Sequence, residues 1–129
     1  MTCVYVSAEN VLAIAEQAVE GQSVSVRDVG LLASAAHRPS ASMSGREAYD
    51  NLFDKAAALL QSLAIDRHFT HGNKRTAWVS CVVFLAMNEV QLRPDIDAAE
   101  RLVIAVATGS LDEVKSISEA LRELAEQPM

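Results

Sequence analysis

Residues 66–88 have the sequence DRHFTHGNKRTAWVSCVVFLAMN, in which a short polar loop leads directly into a strongly apolar segment. The loop contains two of the chain's three histidines and one glycine, Gly72, and it ends in the triplet Asn73-Lys74-Arg75. The segment that follows predicts a helix over about residues 73–89 that is apolar on nearly all sides. Such a helix begins close to the protein core, so the triplet is expected in its first turn.

The start of this helix has the features of an anion-binding site. Its first backbone N–H groups have no partner within the helix, and the helix dipole makes this end electropositive. Gly72 can adopt a positive φ, which lets successive amides point into one hollow. Lys74 adds a mobile point charge and Arg75 a planar bidentate donor, and both suit phosphate oxygens. The alternative is a plain turn and a solvated helix start, because a Gly-x-Lys-Arg sequence alone is weak evidence.

The sequence Gly-Asn-Lys-Arg-Thr-Ala at residues 72–77, preceded by Phe69, resembles the signature loop of the Fic/Doc (Fido) superfamily. Lys74 resembles the Doc branch, since members that attach AMP usually carry a second glycine there. The likeness extends to residues 27–39, which match the family's upstream helix, and to residues 52–64, which match the helix entering the loop. It covers nearly the whole chain, and the 129 residues are therefore expected to form a single Fic/Doc domain.

The hydrophobic periodicity predicts an all-α fold, and the resemblance implies the same: a compact bundle of about six helices around a buried central helix. Ser7, Asp28 and Asp95 are predicted N-caps, and Ser110 and Glu113 form a capping-box pattern before the last helix. The predicted helices cover about residues 8–20, 28–37, 50–65, 73–89, 96–107 and 111–125. Residues expected to face inward are Leu31, Leu32, Ala35, Leu52, Phe53, Ala56, Leu59, Leu60, Leu63, Trp78, Val82, Phe84, Leu85, Met87, Leu102, Val103, Val106, Ala107, Val114, Ile117, Leu121 and Leu124. Cys81 is expected to be an inert core thiol.

Residues 37–49 form the longest irregular segment and allow two interpretations. Ser44-Gly45-Arg46-Glu47 has the form of a capping box, which would start the third helix near residue 45. The resemblance instead implies a short extended flap between the second and third helices, which lays residues of a protein target beside the phosphates. The helix would then start near Asp50. We favour the flap, because small polar residues and glycine make a poor helix start.

The family loop has the pattern His-x-Phe-x-Asp/Glu-Gly/Ala-Asn-Lys/Gly-Arg. The resemblance assigns its histidine as general base on the target hydroxyl and its acid as ligand of a Mg²⁺ ion that bridges the nucleotide phosphates. In this chain Arg67 occupies the base position and His71 the acid position. An arginine cannot take up a proton, and an imidazole is a poor ligand for Mg²⁺. His68 lies one residue from the base position. The alternative interpretation of Arg67 is that it has no role in the site and is an exposed arginine at a helix end, favoured by the helix dipole. The anion site of Gly72, Asn73, Lys74 and Arg75 is retained.

Three interpretations of the activity remain open. In the first, the chain is a Doc-like toxin that transfers a phosphoryl group from ATP to a protein hydroxyl, by resemblance on a translation elongation factor, and so arrests translation. His68 or His71 would serve as base, while Lys74 and Arg75 position the phosphates. In the second, catalysis is lost and a module that binds nucleotide or antitoxin remains. In the third, Arg67 replaces an original histidine. Transfer of AMP is the enzymatic alternative, disfavoured by Lys74.

Composition and the resemblance together limit the partners. The net charge of −6 argues against nucleic acid as the main ligand, so no DNA binding by the chain itself is expected. No apolar run approaches the roughly 20 residues of a membrane span, and no basic-then-apolar leader opens the chain, so a cytoplasmic bacterial protein is expected. The resemblance implies a separate antitoxin of the Phd type, whose C-terminal segment folds as a helix into an apolar groove. The internal inhibitory motif of larger Fic proteins is matched neither at Glu9-Asn10 nor at Glu20-Gly21.

Overall fold

Six α-helices and one short β-hairpin make up the fold in a computed structural model, which describes residues 3–19 and 24–126. The helices are α1 (Ala8–Ala18), α2 (Val29–His37), α3 (Leu52–Ile65), α4 (Asn73–Met87), α5 (Ile96–Thr108) and α6 (Val114–Leu124). A 3₁₀ turn (Arg38–Ser40) follows α2, and the hairpin pairs β1 (Ser42–Met43) with β2 (Arg46–Glu47). The predicted all-α class is confirmed, and so is the extended segment between the second and third helices. No helix in the described ranges is long and apolar enough to cross a membrane.

Three helices begin at the N-caps that the sequence predicts. The Ser7 hydroxyl oxygen accepts a hydrogen bond from the Asn10 N–H at 3.1 Å, and Asp28 and Asp95 cap α2 and α5 in the same way. Each such cap satisfies one free N–H group of the first turn and typically contributes about 1 kcal/mol. Gly109 ends α5 in the left-handed conformation, with a φ of 83°, which places the end of this helix within one residue of the prediction.

The start of α6 differs from the predicted capping box. This helix begins at Val114 rather than near residue 111, and its N-cap Glu113 makes no side-chain capping hydrogen bond. The Ser110 hydroxyl donates instead to the carbonyl of Ala105 at 3.2 Å. The same carbonyl accepts a second hydrogen bond, from the Leu111 N–H at 3.0 Å. The Ser110 hydroxyl is therefore bonded to α5, and it does not cap α6.

The hairpin excludes the other capping-box alternative, that of residues 44–47. Ser44 and Gly45 form its two-residue turn with φ values of 54° and 78°, and two positive φ angles are the signature of the turn that matches the twist of paired strands. The third helix starts after Asn51, whose side-chain oxygen accepts the Asp54 N–H at 2.9 Å. That start lies within two residues of the position near Asp50 that the flap interpretation predicts.

The helix at the centre of the fold is α3, whereas the sequence favours α4. Nine residues of α3 are buried against six of α4. α3 packs most extensively against α4 and also contacts α2, α5 and α6. Its run of small and apolar residues allows this close packing on several sides. Cys81 of α4 is fully buried, which confirms its predicted place in the core, and burial raises the pKa of its thiol to about 12.

Most of the residues predicted to face inward are buried or pack at the edge of the core. Leu31 and Met87 are the corrections, with 40% and 39% of their surface exposed. Val82 is half-buried, and its neighbour Val83 packs against the core instead. Only one face of the short helix α2 is covered, and Leu32 and Ala35 occupy that face, so Leu31 is turned away from it. Met87 is the last residue of α4, where the helix reaches solvent. The predicted end of the first helix at Gly21 lies outside the described residues.

Candidate functional site

The loop that precedes α4 is fixed by backbone pairing with the segment before α2. The Arg27 N–H donates to the His68 carbonyl at 2.8 Å, and the Thr70 N–H donates to the Ser25 carbonyl at 3.2 Å. These bonds flank an isolated antiparallel bridge that involves Phe69, a core residue with 2% of its surface exposed. The loop therefore has a defined shape, which is a requirement for holding catalytic groups in place.

Asn73 holds the loop from the other side. Its side-chain oxygen accepts the Phe69 N–H at 3.0 Å, and its side-chain amide donates to the Phe69 carbonyl at 2.9 Å. The carboxamide thus acts as a substitute peptide group that satisfies both polar atoms of a buried backbone position. The sequence predicts Asn73 as an anion ligand. In the structure its side chain acts as a clamp that fixes the loop against the first turn of α4.

Gly72 sets the direction in which α4 begins. It adopts the left-handed conformation with a φ of 72° and is the N-cap of α4, with no side-chain cap. A Cβ atom at this position would lie 2.8 Å from Cγ1 of Val19 at the end of α1. A glycine is therefore required both for the backbone angle and for the approach of α1. Both features support the hollow that the sequence predicts at this helix start.

A cavity of about 750 Å³ opens at this helix start, between the ends of α1, α4 and α5. Ala18 and Val19 of α1 and Ala107 and Thr108 of α5 form part of its wall. The other residues that line it are Ala64, Ile65, Arg67, Thr70, His71, Gly72, Asn73, Lys74 and Arg75. No aspartate or glutamate is found among these lining residues, all of which belong to the described part of the chain. The cavity is therefore polar and positively charged on the side of the loop.

Arg75 is oriented by the end of α1. Its Nη1 atom donates to the carbonyl of Ala18 at 3.2 Å, and Ala18 is the last residue of that helix. The carbonyls of a helix C-terminus are unpaired and carry partial negative charge, so they attract a guanidinium group. Within the described ranges this is the one side-chain hydrogen bond of Arg75, and the residue also lines the cavity. The fold thus orients the guanidinium group of Arg75 through its hydrogen bond to Ala18.

The two loop histidines occupy different environments. His71 is exposed and lines the cavity together with Arg67, which is also exposed. His68 has only 1% of its surface exposed, and its Nε2 atom lies 2.9 Å from the carbonyl oxygen of Ser62 in α3. Because a carbonyl oxygen only accepts, Nε2 carries the hydrogen in this bond. The structure therefore brings Arg67, His71, Lys74 and Arg75 together around the cavity and separates His68 from them.

Two cations that the sequence argument missed hold the hairpin, Lys55, which is buried, and Arg38, which is half-buried. Lys55 of α3, with 4% of its surface exposed, donates from Nζ to a carboxylate oxygen of Glu47 at 3.0 Å and to the Pro39 carbonyl at 3.3 Å. Burial lowers the pKa of Lys55, but its interactions with Tyr5 and Glu47 more than offset this, so the pKa is raised. The signal available in the sequence is a lysine within the apolar stripe of α3.

Arg38 is the second of these cations. Its Nε donates to the Tyr49 hydroxyl at 2.9 Å, where the hairpin returns to α3. Its Nη1 donates to the Ser62 hydroxyl at 2.9 Å and to the Ala58 carbonyl at 3.3 Å, both on α3. Ser62 also provides the carbonyl that His68 contacts. One turn of α3 therefore contacts both the hairpin anchor and the loop before α4.

Comparison with known proteins places these features in one family. A family model described as the Fic/DOC family matches residues 5–85, a range that includes the hairpin, the loop and most of α4. Toxin Doc from Mycolicibacterium smegmatis is 48% identical over 110 residues, which cover 84% of this chain and 84% of that protein. Protein kinase doc from Escherichia phage P1 is 35% identical over 85 residues, which cover 64% of this chain and 66% of the phage protein.

Proposed function

Because the chain belongs to the Fic/Doc family, we propose that it is a Doc-like toxin that transfers a phosphoryl group from ATP to a hydroxyl of a protein target. The observation that carries this proposal is the cavity at the start of α4, where Lys74 and Arg75 lie beside a left-handed Gly72. The names of the two relatives, a toxin and a protein kinase, support the class of reaction. A translation elongation factor is the target that the family resemblance implies, and translation arrest is the consequence.

Phosphate binding at this cavity depends mainly on the side-chain cations. Two unit charges about 4 Å apart near a protein surface attract by about 4 kcal/mol, whereas a helix N-terminus typically contributes only about 0.3–1 kcal/mol. Arg67, Lys74 and Arg75 all line the cavity. The helix start then adds direction, because its N–H groups point along the helix axis toward the bound oxygens. ATP is therefore expected to bind with its phosphates at residues 72–75.

His71 is assigned the role of general base. It lines the cavity, and an imidazole has a ring nitrogen that can accept a proton, whereas the guanidinium group of Arg67 in the family's base position has no acceptor atom. His68 is buried and bonded to Ser62, away from the cavity. In the proposed step the target hydroxyl oxygen bonds to the γ-phosphorus, the bond from that phosphorus to the bridging oxygen breaks, ADP leaves, and the hydroxyl proton passes to His71. Positioning supplies most of the rate in such transfers.

The Mg²⁺ ion that the family implies does not fit the donors of this cavity. Mg²⁺ prefers oxygen ligands and is usually bound through one or two carboxylates together with phosphates. The described lining residues include no carboxylate, and His71 replaces the acid of the family loop. Among the described residues no three His, Cys, Asp or Glu side chains form a group that could hold a metal ion. No step of the proposed reaction is therefore assigned to a metal held by the protein.

The hairpin of residues 42–47 is the proposed contact with the protein target. Its strands are exposed, and Met43 has 78% of its surface accessible. An exposed strand can pair with an extended segment through backbone hydrogen bonds, which requires little of the partner's sequence. The anchors Lys55, which is buried, and Arg38, which is half-buried, hold this hairpin in one position. An antitoxin of the Phd type is the second proposed partner, by resemblance to the toxin–antitoxin members of the family.

A module that binds ATP and antitoxin without catalysis is the second candidate function. The observation that favours it is Arg67 at the base position, in a cavity whose described lining residues include no acid. Both candidates share the phosphate site, so ATP binding alone does not separate them. The two candidates differ in whether the γ-phosphoryl group is transferred to a protein.

The test uses ATP labelled on either the γ- or the α-phosphate, incubated with a bacterial lysate and one of three proteins: the native chain, His71→Ala or Arg67→His. Label from γ-ATP on one lysate protein, lost in His71→Ala, is the expected result. Labelling only by Arg67→His would establish the native chain as a non-catalytic module. Label from α-ATP would show AMP transfer and contradict the role given to Lys74. If none of the three proteins labels a lysate protein but ATP binding is retained, the binding module is favoured.

A further inference from the structure

The charged side chains among the described residues that line the cavity are all basic. They are Arg67, Lys74 and Arg75, and the imidazole of His71 adds further nitrogen atoms to the same wall. Thr70 and Thr108 are neutral, and the remaining described lining residues are apolar or glycine, apart from Asn73, whose side chain is used by Phe69. This surplus of positive charge, with no carboxylate among the lining residues that the structure describes, suits a highly charged anion.

The three cations come from both ends of the loop. Arg67 lies two residues beyond the end of α3, while Lys74 and Arg75 lie in the first turn of α4. The Ala18 carbonyl holds one side of the Arg75 guanidinium at 3.2 Å and so limits where the rest of it can point. Cations on two segments can contact oxygens on different sides of one polyphosphate, which a single cluster on one helix turn cannot do as easily.

We infer that the cavity binds the nucleotide triphosphate as the metal-free polyanion, with Arg67, Lys74 and Arg75 supplying the positive charge that a metal ion supplies elsewhere in the family. This inference rests on the proposed function, since it concerns the form of ATP that the same site recognises. Complexation with Mg²⁺ lowers the negative charge of the triphosphate and occupies oxygens that guanidinium groups bind well. The protein in turn offers the metal an imidazole where it would prefer a carboxylate.

The inference predicts how affinity depends on Mg²⁺. Binding of inorganic tripolyphosphate and of ATP is measured by titration calorimetry, once in EDTA and once in excess Mg²⁺. Binding in EDTA is expected to be at least as tight as in Mg²⁺, and about threefold to tenfold tighter if the extra charge of the free anion is fully used. Affinity that is tenfold or more higher with Mg²⁺ would overturn the inference.

Two variants make the test specific to the residues. Arg67→Gln removes one cation from an exposed position, and it is expected to weaken binding in EDTA about tenfold while changing binding in Mg²⁺ much less. His71→Asp places a carboxylate in the cavity, and it is expected to reverse the preference toward the Mg²⁺ complex. Arg101→Gln, on the exposed face of α5 and outside the cavity lining, is the matched control and is expected to change neither affinity.

The outcomes also separate this inference from the function on which it rests. Tight binding only in Mg²⁺ would overturn the metal-free form and leave the phosphate site intact. An unchanged preference in His71→Asp would contradict the role given to the missing carboxylate. Absence of binding to either probe in both conditions would overturn the proposed phosphate site and the inference together.

Discussion

Gly72 is the residue on which the shape of the site depends most directly. Its φ of 72° disfavours any side chain, and a Cβ atom would lie 2.8 Å from Val19 Cγ1. Gly72→Ala is therefore expected to lower the free energy of unfolding by more than the roughly 1–2 kcal/mol of the backbone angle alone. It is also expected to weaken ATP binding. Urea denaturation and calorimetry measure the two effects.

The matched control for this prediction is Gly109→Ala. Gly109 also has a positive φ, of 83°, but a Cβ atom there would meet nothing within 4 Å. Gly109→Ala is expected to lose only the contribution of the backbone angle, about 1–2 kcal/mol, and to keep its ATP affinity. Equal losses of stability in the two variants would contradict the close approach of α1 at Gly72.

Asn73 is expected to act through the loop rather than through the ligand. In Asn73→Asp the carboxylate can still accept the Phe69 N–H but cannot donate to the Phe69 carbonyl, which it would instead repel. A buried acceptor left without its donor typically costs about 1–3 kcal/mol. Faster hydrogen exchange of the Phe69 amide and a lower free energy of unfolding are the expected results.

Asn10→Asp provides the comparison for that variant. The Asn10 side-chain oxygen only accepts a hydrogen bond, from the Ser7 N–H at 2.9 Å, and the residue lies in the first turn of α1. A carboxylate keeps this bond and is favoured by the helix dipole, so no loss of stability is expected. If both Asn→Asp changes had the same effect, the donor role of Asn73 would be refuted.

At this scale sequence reasoning anticipated the backbone conformation of Gly72 but not the contacts that two side chains make. The positive φ of Gly72 was expected from its place before a helix, and Gly72 has a φ of 72° in the structure. The clamp made by Asn73 and the burial of His68 depend on contacts with Phe69 and Ser62, which are set by the path of the loop. A one-residue shift within a tight loop reverses the direction of a side chain, and spacing alone does not show which direction is taken.

At the scale of elements, the hairpin depends on its anchors in α3 and the 3₁₀ turn. Lys55→Met keeps most of the side-chain volume but removes the bonds to Glu47 and to the Pro39 carbonyl. Released from this contact, the hairpin is expected to open more often, and trypsin is expected to cleave after Arg46 several times faster than in the native protein. Transfer to a protein target is expected to fall while ATP affinity is unchanged.

Lys115→Met is the control for this experiment. Lys115 also donates to a residue of α3, the carboxylate of Asp54, and none of its hydrogen bonds within the described ranges reaches the hairpin. Its removal is expected to leave the rate of cleavage after Arg46 unchanged. Comparable acceleration in both variants would mean that cleavage reports general loosening of α3 instead of the hairpin anchor.

The helices themselves are the best-predicted elements. Side-chain caps at Ser7, Asp28 and Asp95 are local, so a short stretch of sequence is enough to place them. The predicted cap at Ser110 is wrong because its hydroxyl donates to the carbonyl of Ala105, in the preceding helix. Capping boxes are local patterns, but the choice between two partners depends on how two helices meet.

At the scale of the whole molecule, α6 packs on α3 within the core, and one buried carboxylate adds an ion pair between the two helices. Asp54 is buried, and it accepts a hydrogen bond from Lys115 of α6. Burial raises the pKa of Asp54, but hydrogen bonds from Lys115, Ser118 and Asn51 more than offset this, so the pKa lies below its ordinary 3.8. The folded state thus binds this proton more weakly than the unfolded state does. Its contribution is present above about pH 4 and is lost as the pH falls through the folded-state pKa.

Asp54→Asn is therefore expected to lower the free energy of unfolding at neutral pH and to lose less stability than the native protein on acidification. Urea denaturation at a series of pH values from about 7 to 2.5 measures this difference. The two curves are expected to converge at the acid end. A constant gap between them at every pH would show that Asp54 contributes by packing alone.

The overall architecture was predictable because helical periodicity and caps act within each segment. The site was predictable only in part, since its cavity joins Ala18, Arg75 and Thr108, residues from three helices that are distant in sequence. The anion-binding loop is contiguous, so its residues could be named in advance. The apolar wall, the orientation of Arg75 by the end of α1 and the exclusion of His68 are tertiary effects.

The central claim is that ATP binds with its phosphates at the first turn of α4, and a titration followed by NMR tests it most directly. Uniformly ¹⁵N-labelled protein is titrated with ATP, and the backbone amide shifts are recorded. The largest saturable shifts are expected at Gly72, Asn73, Lys74 and Arg75, with smaller ones at Thr108 across the cavity. Saturable shifts centred on another part of the molecule, or no saturable shift at residues 72–75, would contradict the account.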